Sequence, residues 1–375
     1  MKALLIGCEP VDYTIAYANA VVTRMPVTLV LPRDKFAAAL PWLDPAITVE
    51  LMDWPRHRSL ANLAFLWRLT RLIRSEQPDL IHILSNTQLW LNLAMPFWRS
   101  IPVVTTVHDV RLHPGDRDTG VLPGWSPRLM ARQSDHLVVH GPTLARAATQ
   151  VFGKPASHVH VLPHPAIRRY AELAQEEGLR PRIPDGVFRV LMFGRIFAYK
   201  GLDQLLRAEQ LLLNRTPQLQ IIVAGRGDNP WDMHSLMGDP ARYDIRHRFI
   251  KDREVAQLFL DADLVVLPYT EASQSGVLPV AATFGVPVVV TDVGELRATV
   301  TPHDLGIVVP PADPQALADA IALMADDGAL RDRCGRAALA WSDRVIGPEA
   351  VGEQAQAFYH CLHQKGEPAA SKGWA

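Results

Sequence analysis

Two basic residues follow an apolar run near the middle of the sequence. In the segment FGRIFAYKGLDQLLRA, Arg195 and Lys200 lie between Gly194, where the run ends, and a helical pattern that opens near Gly201. Backbone N–H groups at a helix start attract anions, and a guanidinium with an ammonium would add charge-assisted hydrogen bonds to a diphosphate. The pattern therefore predicts a diphosphate site, although two solvated loop charges would give the same spacing.

A second loop carries further groups that could bind an anion. In VVLPYTEASQSGVLPVAATFGVPVVVT, the turn Gln274-Ser275-Gly276 separates an apolar run from a helix of small residues that starts near Val277. The N–H groups of such a turn and the dipole of the helix would form a second anion cradle. An ordinary loop with small residues for close packing is the alternative.

Other patterns that could carry chemistry are weaker. Asp261 and Asp263 form a DxD, but they lie where a helix passes into a buried strand, and the GRG that starts at Gly225 lacks the rest of a dinucleotide fingerprint. The 14 histidines form no metal-ligand pattern such as HExxH. We therefore expect no metal and no cofactor. His108, followed by Asp109 at a strand end, is the one histidine singled out.

Short apolar runs alternate with helical patterns along the chain, which is typical of βαβ units around parallel sheets. The predicted strands are Ala3–Ile6, Val27–Leu31, Leu80–Leu84, Pro102–Val107, His136–Val139 and His158–Leu162, then Phe188–Phe193, Gln220–Ala224, Ile245–Phe249, Leu264–Pro268, Pro287–Thr291 and Gly306–Val309. Two doubly wound α/β sheets follow from this pattern. Because ligands bind beyond the carboxyl ends of such strands, we expect two domains that face a central cleft.

The breaker-rich run GLRPRIPDG marks the domain boundary. The predicted organisation is an N-terminal Rossmann-like domain (1–165), a linker (166–186), a C-terminal Rossmann-like domain (187–345), a C-terminal helix that packs back on the first domain (346–365) and a disordered tail (366–375).

The composition is that of a globular protein, with 48% hydrophobic residues, and a net charge of −1 argues against nucleic-acid binding. Three cysteines without CxxC spacing and an N-terminal apolar run of four residues predict a cytoplasmic protein.

The charge is uneven: residues 1–165 contain 16 Lys and Arg against 12 Asp and Glu, and the remainder contains 22 Lys and Arg against 27 Asp and Glu. A helical pattern from Arg58 to Arg74 mixes arginines with leucines and a tryptophan, and Trp90, Phe97, Trp98, Arg99 and Trp125 follow. This half could dock on an anionic membrane, with a core-packed helix and a solvated face as the alternative.

The segments FGRI…KGLDQLLRA, IIVAGRGD, FLDADLVVLPYTEASQSG and FGVPVVVTDVGELRATV resemble the donor domain of family 4 glycosyltransferases, which have the GT-B fold of two Rossmann-like domains. PDLIHILSN, IPVVTTVHDV and VHVLPHPA resemble the first domain more loosely. The resemblance implies that 1–165 is the acceptor-binding domain and 187–345 the nucleotide-sugar-binding domain. The resemblance implies a retaining, metal-independent hexosyltransferase of polysaccharide or glycolipid biosynthesis, peripheral on the cytoplasmic membrane face. Its substrates would be a nucleoside-diphosphate sugar and a glycan or polyprenyl-linked acceptor.

The resemblance also implies roles for individual residues. Arg195 and Lys200 would hold the donor diphosphate, the segment around Phe249 would meet the base, and His108 would lie beside the sugar and acceptor. The donor-binding residues would be Gly194, Ile250, Lys251, Glu271, Gln274, Ser275, Gly276 and Val277, and the acceptor-binding residues would be Gly7, Tyr13 and Asp109.

The chain departs from the family at one motif. Ala272 and Val280 occupy the positions of two glutamates that the family usually has eight residues apart, and Glu271 lies one position before the first. The loop resembles a subgroup with a Gln-Ser-Gly turn. Two alternatives follow: an inactive homologue that scaffolds an active transferase, and a nucleotide-sugar epimerase on the same scaffold.

Overall fold

The computed structural model describes residues 1–56, 59–111 and 123–366, which form two α/β units. The first comprises the described parts of Met1–Val110, Asp118–Pro165 and Ile346–Ala375, and the second is built mainly from Ala166–Val345. Within the described residues, no helix combines the length and apolar character that crossing a bilayer requires.

The first unit contains a seven-stranded parallel sheet. Its strands are β1 (Ala3–Ile6), β2 (Val27–Pro32), β3 (Thr48–Met52), β4 (Leu80–Ile83), β5 (Val103–Thr106), β6 (His136–Val139) and β7 (Val159–Val161), in the order β3-β2-β1-β4-β5-β6-β7. The helices are α1 (Val11–Val22), α2 (Arg33–Phe36), α3 (Ala61–Glu76), α4 (Leu91–Ala94), α5 (Trp125–Gln133) and α6 (Pro142–Phe152), with α14 (Pro348–Gly366) from the C-terminus. Strands β1, β2, β4 and β5 are buried along their whole length, as expected for mainly apolar strands of a parallel sheet that is covered on both faces.

The second unit contains a six-stranded parallel sheet. Its strands are β8 (Phe188–Phe193), β9 (Leu219–Gly225), β10 (Tyr243–His247), β11 (Leu264–Leu267), β12 (Val288–Thr291) and β13 (Gly306–Val309), in the order β10-β9-β8-β11-β12-β13. The helices are α7 (Arg169–Glu176), α8 (Leu202–Leu212), α9 (Asp252–Asp261), α10 (Val277–Thr283), α11 (Leu296–Val300), α12 (Pro314–Asp326) and α13 (Gly328–Arg344). The strand order reverses between β8 and β11, as it does between β1 and β4, and each reversal opens a crevice at the carboxyl ends of the strands.

The structure differs from the predicted elements in three ways. Strand β3 was not predicted, because TVELM lies half-exposed at a sheet edge and carries a glutamate instead of a continuous apolar run. Strand β10 begins two residues before its predicted start, since Tyr243 already pairs with Ile221 of β9. The predicted linker is not a free connection: its helix α7 packs in the second unit, where Arg169 Nη1 lies 2.6 Å from Asp252 Oδ2.

Helix α14 packs against α1 in the first unit. A Cβ on Gly352 would lie 2.3 Å from the carbonyl oxygen of Ala20, so only glycine allows this approach of the two helices. The hydroxyls of Tyr17 and Tyr359 meet at 2.8 Å across the same contact. The tail predicted to be disordered lies outside the described residues, apart from Gly366 at the end of α14.

Candidate active site

In the second unit, the chain turns sharply where β8 and β9 end. Gly194 has a φ of +115°, and a Cβ on Gly225 would lie 1.7 Å from the carbonyl oxygen of Gly194. Neither position can carry a side chain, so the two loops approach each other backbone to backbone. The loop after β8, which contains Arg195 and Lys200, therefore begins directly at the carboxyl edge of the sheet.

The loop after β8 also packs on the loop after β11. Gly201 has a φ of +70°, and its Cβ would lie 1.9 Å from the carbonyl oxygen of Pro268. The backbone N–H of Thr270 donates to Tyr199 O over 2.9 Å. Both predicted anion-binding loops are thus joined at the strand-order reversal, where a doubly wound sheet binds its ligand.

Tyr269, which was not singled out from the sequence, connects the two predicted cations. Lys200 Nζ lies 3.8 Å from the centroid of the Tyr269 ring, and Arg195 is close enough to lower the pKa of the phenol. Burial outweighs that effect and raises the pKa of Tyr269 to about 12. The phenol is therefore neutral and leaves the positive charge of Arg195 and Lys200 in place. Both cations are half-buried.

The Gln-Ser-Gly turn is held by its own hydrogen bonds. The Ser275 hydroxyl lies 3.1 Å from the Tyr269 hydroxyl and accepts from the backbone N–H of Val277 over 3.2 Å. Helix α10 begins at Val277, as predicted, and Gly276 is exposed. Both of these hydrogen bonds of the Ser275 hydroxyl lie within the loop. The groups of the turn that could bind an anion are therefore its backbone N–H groups. Glu271 is exposed and Gln274 half-buried at the start of this loop.

The residues predicted to meet the base follow the edge strand β10. Phe249 is 69% exposed, Ile250 is buried, and Lys251 is exposed at the start of α9. An exposed aromatic ring at the carboxyl end of a strand offers a flat face on which a base could stack.

The DxD residues, Asp261 and Asp263, lie just before β11, at the amino-terminal ends of the strands. Asp263 precedes β11, and its Oδ2 accepts from Arg182 Nη2 over 2.7 Å and from the backbone N–H of Arg189 over 2.8 Å. Asp261 Oδ1 accepts from the backbone N–H of Arg182 over 2.8 Å. These bonds tie the segment before β8 to β11. Among the described residues, no group of three or more His, Cys, Asp or Glu side chains could hold a metal ion.

In the first unit, three histidines follow three neighbouring strands and surround one tyrosine. His108 follows β5, His140 follows β6 and His164 follows β7, and their ring centroids lie 4.5, 5.1 and 5.2 Å from that of Tyr13. His108 Nε2 donates to Leu84 O over 2.9 Å, and His140 Nδ1 donates to Leu162 O over 3.0 Å. We call His108, His140, His164 and Tyr13 the histidine cluster.

Burial makes the histidines of this cluster neutral. Desolvation lowers the pKa of His164 to about 4, lowers that of His140 well below its usual range, and lowers that of His108. The positive charge that each imidazole would carry also opposes protonation of its neighbours. With Nδ1 donating, His140 Nε2 is an acceptor, and it is buried without a hydrogen-bond partner among the described residues. The cluster offers neutral acceptor groups instead of a fixed cation.

Gly7 and Asp109 border this cluster in the chain. Gly7 follows β1 directly, and a Cβ there would lie 2.5 Å from Thr14 Cγ2 and 2.6 Å from Leu31 Cδ2, so Gly7 is needed for packing. Asp109 is half-buried next to His108 and opposes the lowering of its pKa. Tyr13 is fully buried among the histidines, so it supports the cluster from within.

A fourth histidine lies beneath the cluster. His82 Nδ1 lies 2.6 Å from the Tyr359 hydroxyl and its Nε2 lies 2.8 Å from Thr106 Oγ1, while burial lowers the pKa of His82 to about 3. The Thr106 hydroxyl is 3.4 Å from that of Tyr13. We call the chain of contacts from Tyr17 through Tyr359, His82 and Thr106 to Tyr13 the buried polar network.

His140 and His164 were not predicted, because neither belongs to a metal-ligand pattern. A signal for both was present: His140 follows a predicted strand directly, as His108 does, His164 follows one after Pro163, and the carboxyl ends of parallel strands share one edge. Tyr269 was not predicted as a site residue, because an aromatic residue just after a buried strand is usually part of the core.

Comparisons with known proteins agree with this geometry. Residues 13–166 match the model of "Glycosyltransferase Family 4", and residues 187–327 match that of "Glycosyl transferases group 1". The chain is 27% identical over 279 residues to the alpha-D-kanosaminyltransferase of Streptomyces kanamyceticus, covering 69% of this chain and 70% of that one. It is 27% identical over 294 residues to a D-inositol 3-phosphate glycosyltransferase of an Arthrobacter species, covering 71% and 68%.

A solved structure of HepE from Anabaena, in complex with UDP and glucose, has the same fold. It superposes with a TM-score of 0.73 at 20% identity over 96% of this chain and 100% of that one. The two parallel-sheet, Rossmann-like units are those of GT-B glycosyltransferases. With one family model on each unit, the matches together support a family 4 glycosyltransferase of the GT-B fold.

Proposed function

We propose that this glycosyltransferase moves a hexose-type sugar from a nucleoside-diphosphate sugar to a glycan or polyprenyl-linked acceptor, with retention of configuration and without a metal. The observation that carries the proposal is the pair of joined loops at the strand-order reversal, with Arg195 and Lys200 beside the neutral ring of Tyr269. The UDP and glucose in HepE support a nucleotide-sugar donor.

The chemistry follows from where negative charge develops. As the bond from the sugar to the diphosphate breaks, charge grows on the departing diphosphate, and Arg195, Lys200 and the backbone N–H groups of the Gln-Ser-Gly turn stabilise it. The diphosphate takes the proton of the acceptor hydroxyl on the face from which it leaves. Such a same-face transfer needs no protein nucleophile, so the mechanism does not depend on the glutamates that Ala272 and Val280 replace.

The positions of those two glutamates bear on donor recognition. Val280 is 3% exposed and packs in the core. Because a valine has no carboxylate, this position cannot hydrogen-bond the donor as the family's glutamate would. Glu271 is exposed one residue before the first position and is the nearest carboxylate in sequence. We therefore expect Glu271 to hydrogen-bond a sugar hydroxyl, and the loop to represent the Gln-Ser-Gly subgroup.

The first unit would receive the acceptor at the carboxyl ends of β5, β6 and β7. A neutral His108 can accept a hydrogen bond from a sugar or acceptor hydroxyl without bringing a positive charge to the reacting carbon. We expect Asp109 to orient His108 and the rest of the histidine cluster to hold it in position.

A membrane would bring a lipid-linked acceptor to the enzyme, and helix α3 carries a surface that suits one. Leu60, just before the helix, is 83% exposed, Leu63 is 58% exposed and Trp67 is 63% exposed, and the spacing puts them on one face. Arg71 and Arg74 continue that face, and both are exposed. This combination supports a peripheral location on an anionic cytoplasmic membrane surface.

Release of free nucleoside diphosphate tests the proposal. The protein is incubated with a panel of nucleotide sugars, with and without a lipid extract, and the diphosphate is quantified. Acceptor-dependent release supports transfer. No release with any donor would favour the inactive scaffold, and a changed donor sugar without release would favour the epimerase.

A further inference from the structure

A cavity lies at the amino-terminal ends of strands β5, β6 and β7, at the edge of the sheet opposite to the histidine cluster. Its volume is about 690 Å³, within the range of roughly 300–1,000 Å³ that small-molecule sites occupy. Three basic residues line it, from three separate connections: Arg99 before β5, Arg132 at the end of α5, and Lys154 between α6 and β7. No step of the proposed transfer uses this edge of the sheet.

These three cations have no carboxylate partner in the part of the chain that the structure describes, since no ion pair there includes Arg99, Arg132 or Lys154. Among the described residues, Asp135 is the only carboxylate that lines the cavity, and its Oδ2 accepts from the backbone N–H of Val103 over 2.8 Å. Clustered basic side chains without carboxylate partners favour a phosphate site.

Helix ends offset part of the positive charge. Lys154 Nζ donates to the carbonyls of Arg132 and Ser134, and Arg132 Nε donates to Phe152 O over 3.4 Å. Each helix C-terminus carries roughly half a negative charge. With Asp135 counted as well, about one positive charge is left for a ligand. The Arg99 guanidinium is exposed, and a planar fork of this kind binds two phosphate oxygens at once.

A neutral hydrogen-bonding group adds chemical detail. Gln133 also lines the cavity, and its Oε1 is buried without a hydrogen-bond partner among the described residues. A buried amide oxygen without a donor costs free energy, and a ligand hydroxyl would supply that donor.

We propose that this cavity binds a small phosphate-bearing polyol, such as a sugar phosphate, as a ligand that is neither the donor nor the acceptor. The phosphate contacts Arg99, Arg132 and Lys154, and a hydroxyl donates to Gln133. The site is separate from the donor loops, which lie in the other unit.

Isothermal titration calorimetry with inorganic phosphate and glucose 6-phosphate tests this site. The parent protein is the full chain with Arg195→Gln and Lys200→Gln, so that the donor loops contribute little phosphate binding. Adding Arg99→Gln and Arg132→Gln should weaken binding of both probes by at least about tenfold. Adding Arg146→Gln, an exposed arginine on α6 outside the cavity, should leave binding unchanged.

Two further variants separate charge from folding and identify the role of Gln133. Arg99→Lys with Arg132→Lys keeps the charge and should retain most of the phosphate binding. Gln133→Met should remove the advantage of glucose 6-phosphate over phosphate but leave phosphate binding unchanged. If the Arg99→Gln/Arg132→Gln protein does not fold, Arg99→Gln alone carries the test. Equal binding in the parent and the glutamine variants, or no binding in the parent at millimolar concentrations, would overturn the proposal, whatever the donor assay shows.

Discussion

At the scale of single residues, the candidate donor site depends on a tyrosine that keeps its proton. A phenolate beneath Lys200 would cancel the charge that a diphosphate needs, but burial raises the pKa of Tyr269 to about 12. The ring face attracts Lys200 as a cation–π partner and positions it without neutralising it. The same tyrosine holds the turn at Ser275. One side chain therefore couples the two loops that we expect to bind the donor.

The two cations should contribute to the rate more than to the fold. We predict that Arg195→Ala and Lys200→Ala each lower turnover by about 10² to 10³, because each removes charge stabilisation that grows in the transition state. Steady-state kinetics with a saturating donor would measure the loss. Arg207→Ala, an exposed arginine on α8, is the matched control and should keep full activity. Activity within about threefold of the unaltered protein in both cation variants would contradict these roles.

Removal of metal should leave turnover unchanged. The DxD carboxylates are bonded to Arg182 and Arg189 at the edge of the sheet away from the donor loops, and the proposed cations replace the metal that would bind the diphosphate. Dialysis against EDTA followed by the diphosphate-release assay checks this prediction. If activity is lost and returns with manganese, the assignment of Asp261 and Asp263 as structural residues is wrong.

At the scale of the elements, helix α14 completes the support beneath the histidine cluster. Tyr359 hydrogen-bonds both Tyr17 on α1 and His82 on β4, so the C-terminal helix is joined to the centre of the sheet by buried polar groups. The buried polar network continues through Thr106 to Tyr13. Removing one hydroxyl would leave two buried partners without a bond, which costs more than the bond itself.

Tyr359→Phe tests this link. We predict a loss of about 1–3 kcal/mol in the free energy of unfolding, because His82 and Tyr17 both lose a buried hydrogen bond. Urea unfolding followed by circular dichroism would measure it. His360→Gln changes an exposed neighbour on the same helix and should alter stability by less than about 0.5 kcal/mol. Equal stability of the Tyr359→Phe protein would mean that water replaces the hydroxyl.

Helix α3 carries the prediction that concerns membranes. Arg71 lies over the Trp67 ring, with 5.6 Å to the centroid, and each basic residue near an anionic surface contributes about 1 kcal/mol. Replacing Arg68, Arg71 and Arg74 with glutamate should reduce sedimentation with anionic liposomes and spare turnover on a short soluble acceptor. Binding of the unaltered chain should weaken as salt rises. If that chain ignores anionic liposomes at low salt, the membrane proposal fails.

The elements also show what could be predicted from the sequence. Buried parallel strands are continuous apolar runs, so twelve of the thirteen strands were predicted, and only the half-exposed β3 was missed. Sequence spacing predicted Arg195, Lys200 and His108 as site residues because each lies in a segment that follows a strand. The same reasoning places His140 and His164 at the carboxyl ends of the next strands, but their packing around Tyr13 depends on how neighbouring strands align and could not be predicted from spacing. Leu69 and Trp98 were expected in a basic aromatic surface but lie in the core. The reason is that the spacing of apolar residues does not show which side chains of such a segment face the core. Arg58, the predicted start of that helix, lies outside the described residues, and α3 begins at Ala61.

At the scale of the whole molecule, the two units contain groups that make folding depend on pH in different ranges. The first unit contains four histidines with lowered pKa values, of which His82 and His140 are buried and His108 and His164 are half-buried; the pKa is about 3 for His82 and about 4 for His164. In the second unit, arginines lower the pKa of carboxyl groups: Arg189 acts on Asp185, and Arg248 acts on Glu254. The two units should therefore respond differently to acid.

We predict that the first unit loses stability first as the pH falls. Histidines in an unfolded chain take up protons below about pH 6.5, whereas the buried histidines stay neutral down to lower pH, so protonation favours unfolding throughout that interval. Each such histidine removes about 1.4 kcal/mol per pH unit. The carboxylates of the second unit lose their stabilising effect only below about pH 4, where unfolded carboxyl groups become protonated.

Hydrogen exchange at pH 7.0 and pH 5.0, corrected for intrinsic rates, should show protection falling in β5–β7 before β8–β13. His164→Asn should reduce the pH dependence of the first unit by about one proton, whereas His234→Asn, at an exposed position in the second unit, should not. Equal loss of protection in both sheets at pH 5.0 would mean that the buried histidines do not govern acid stability.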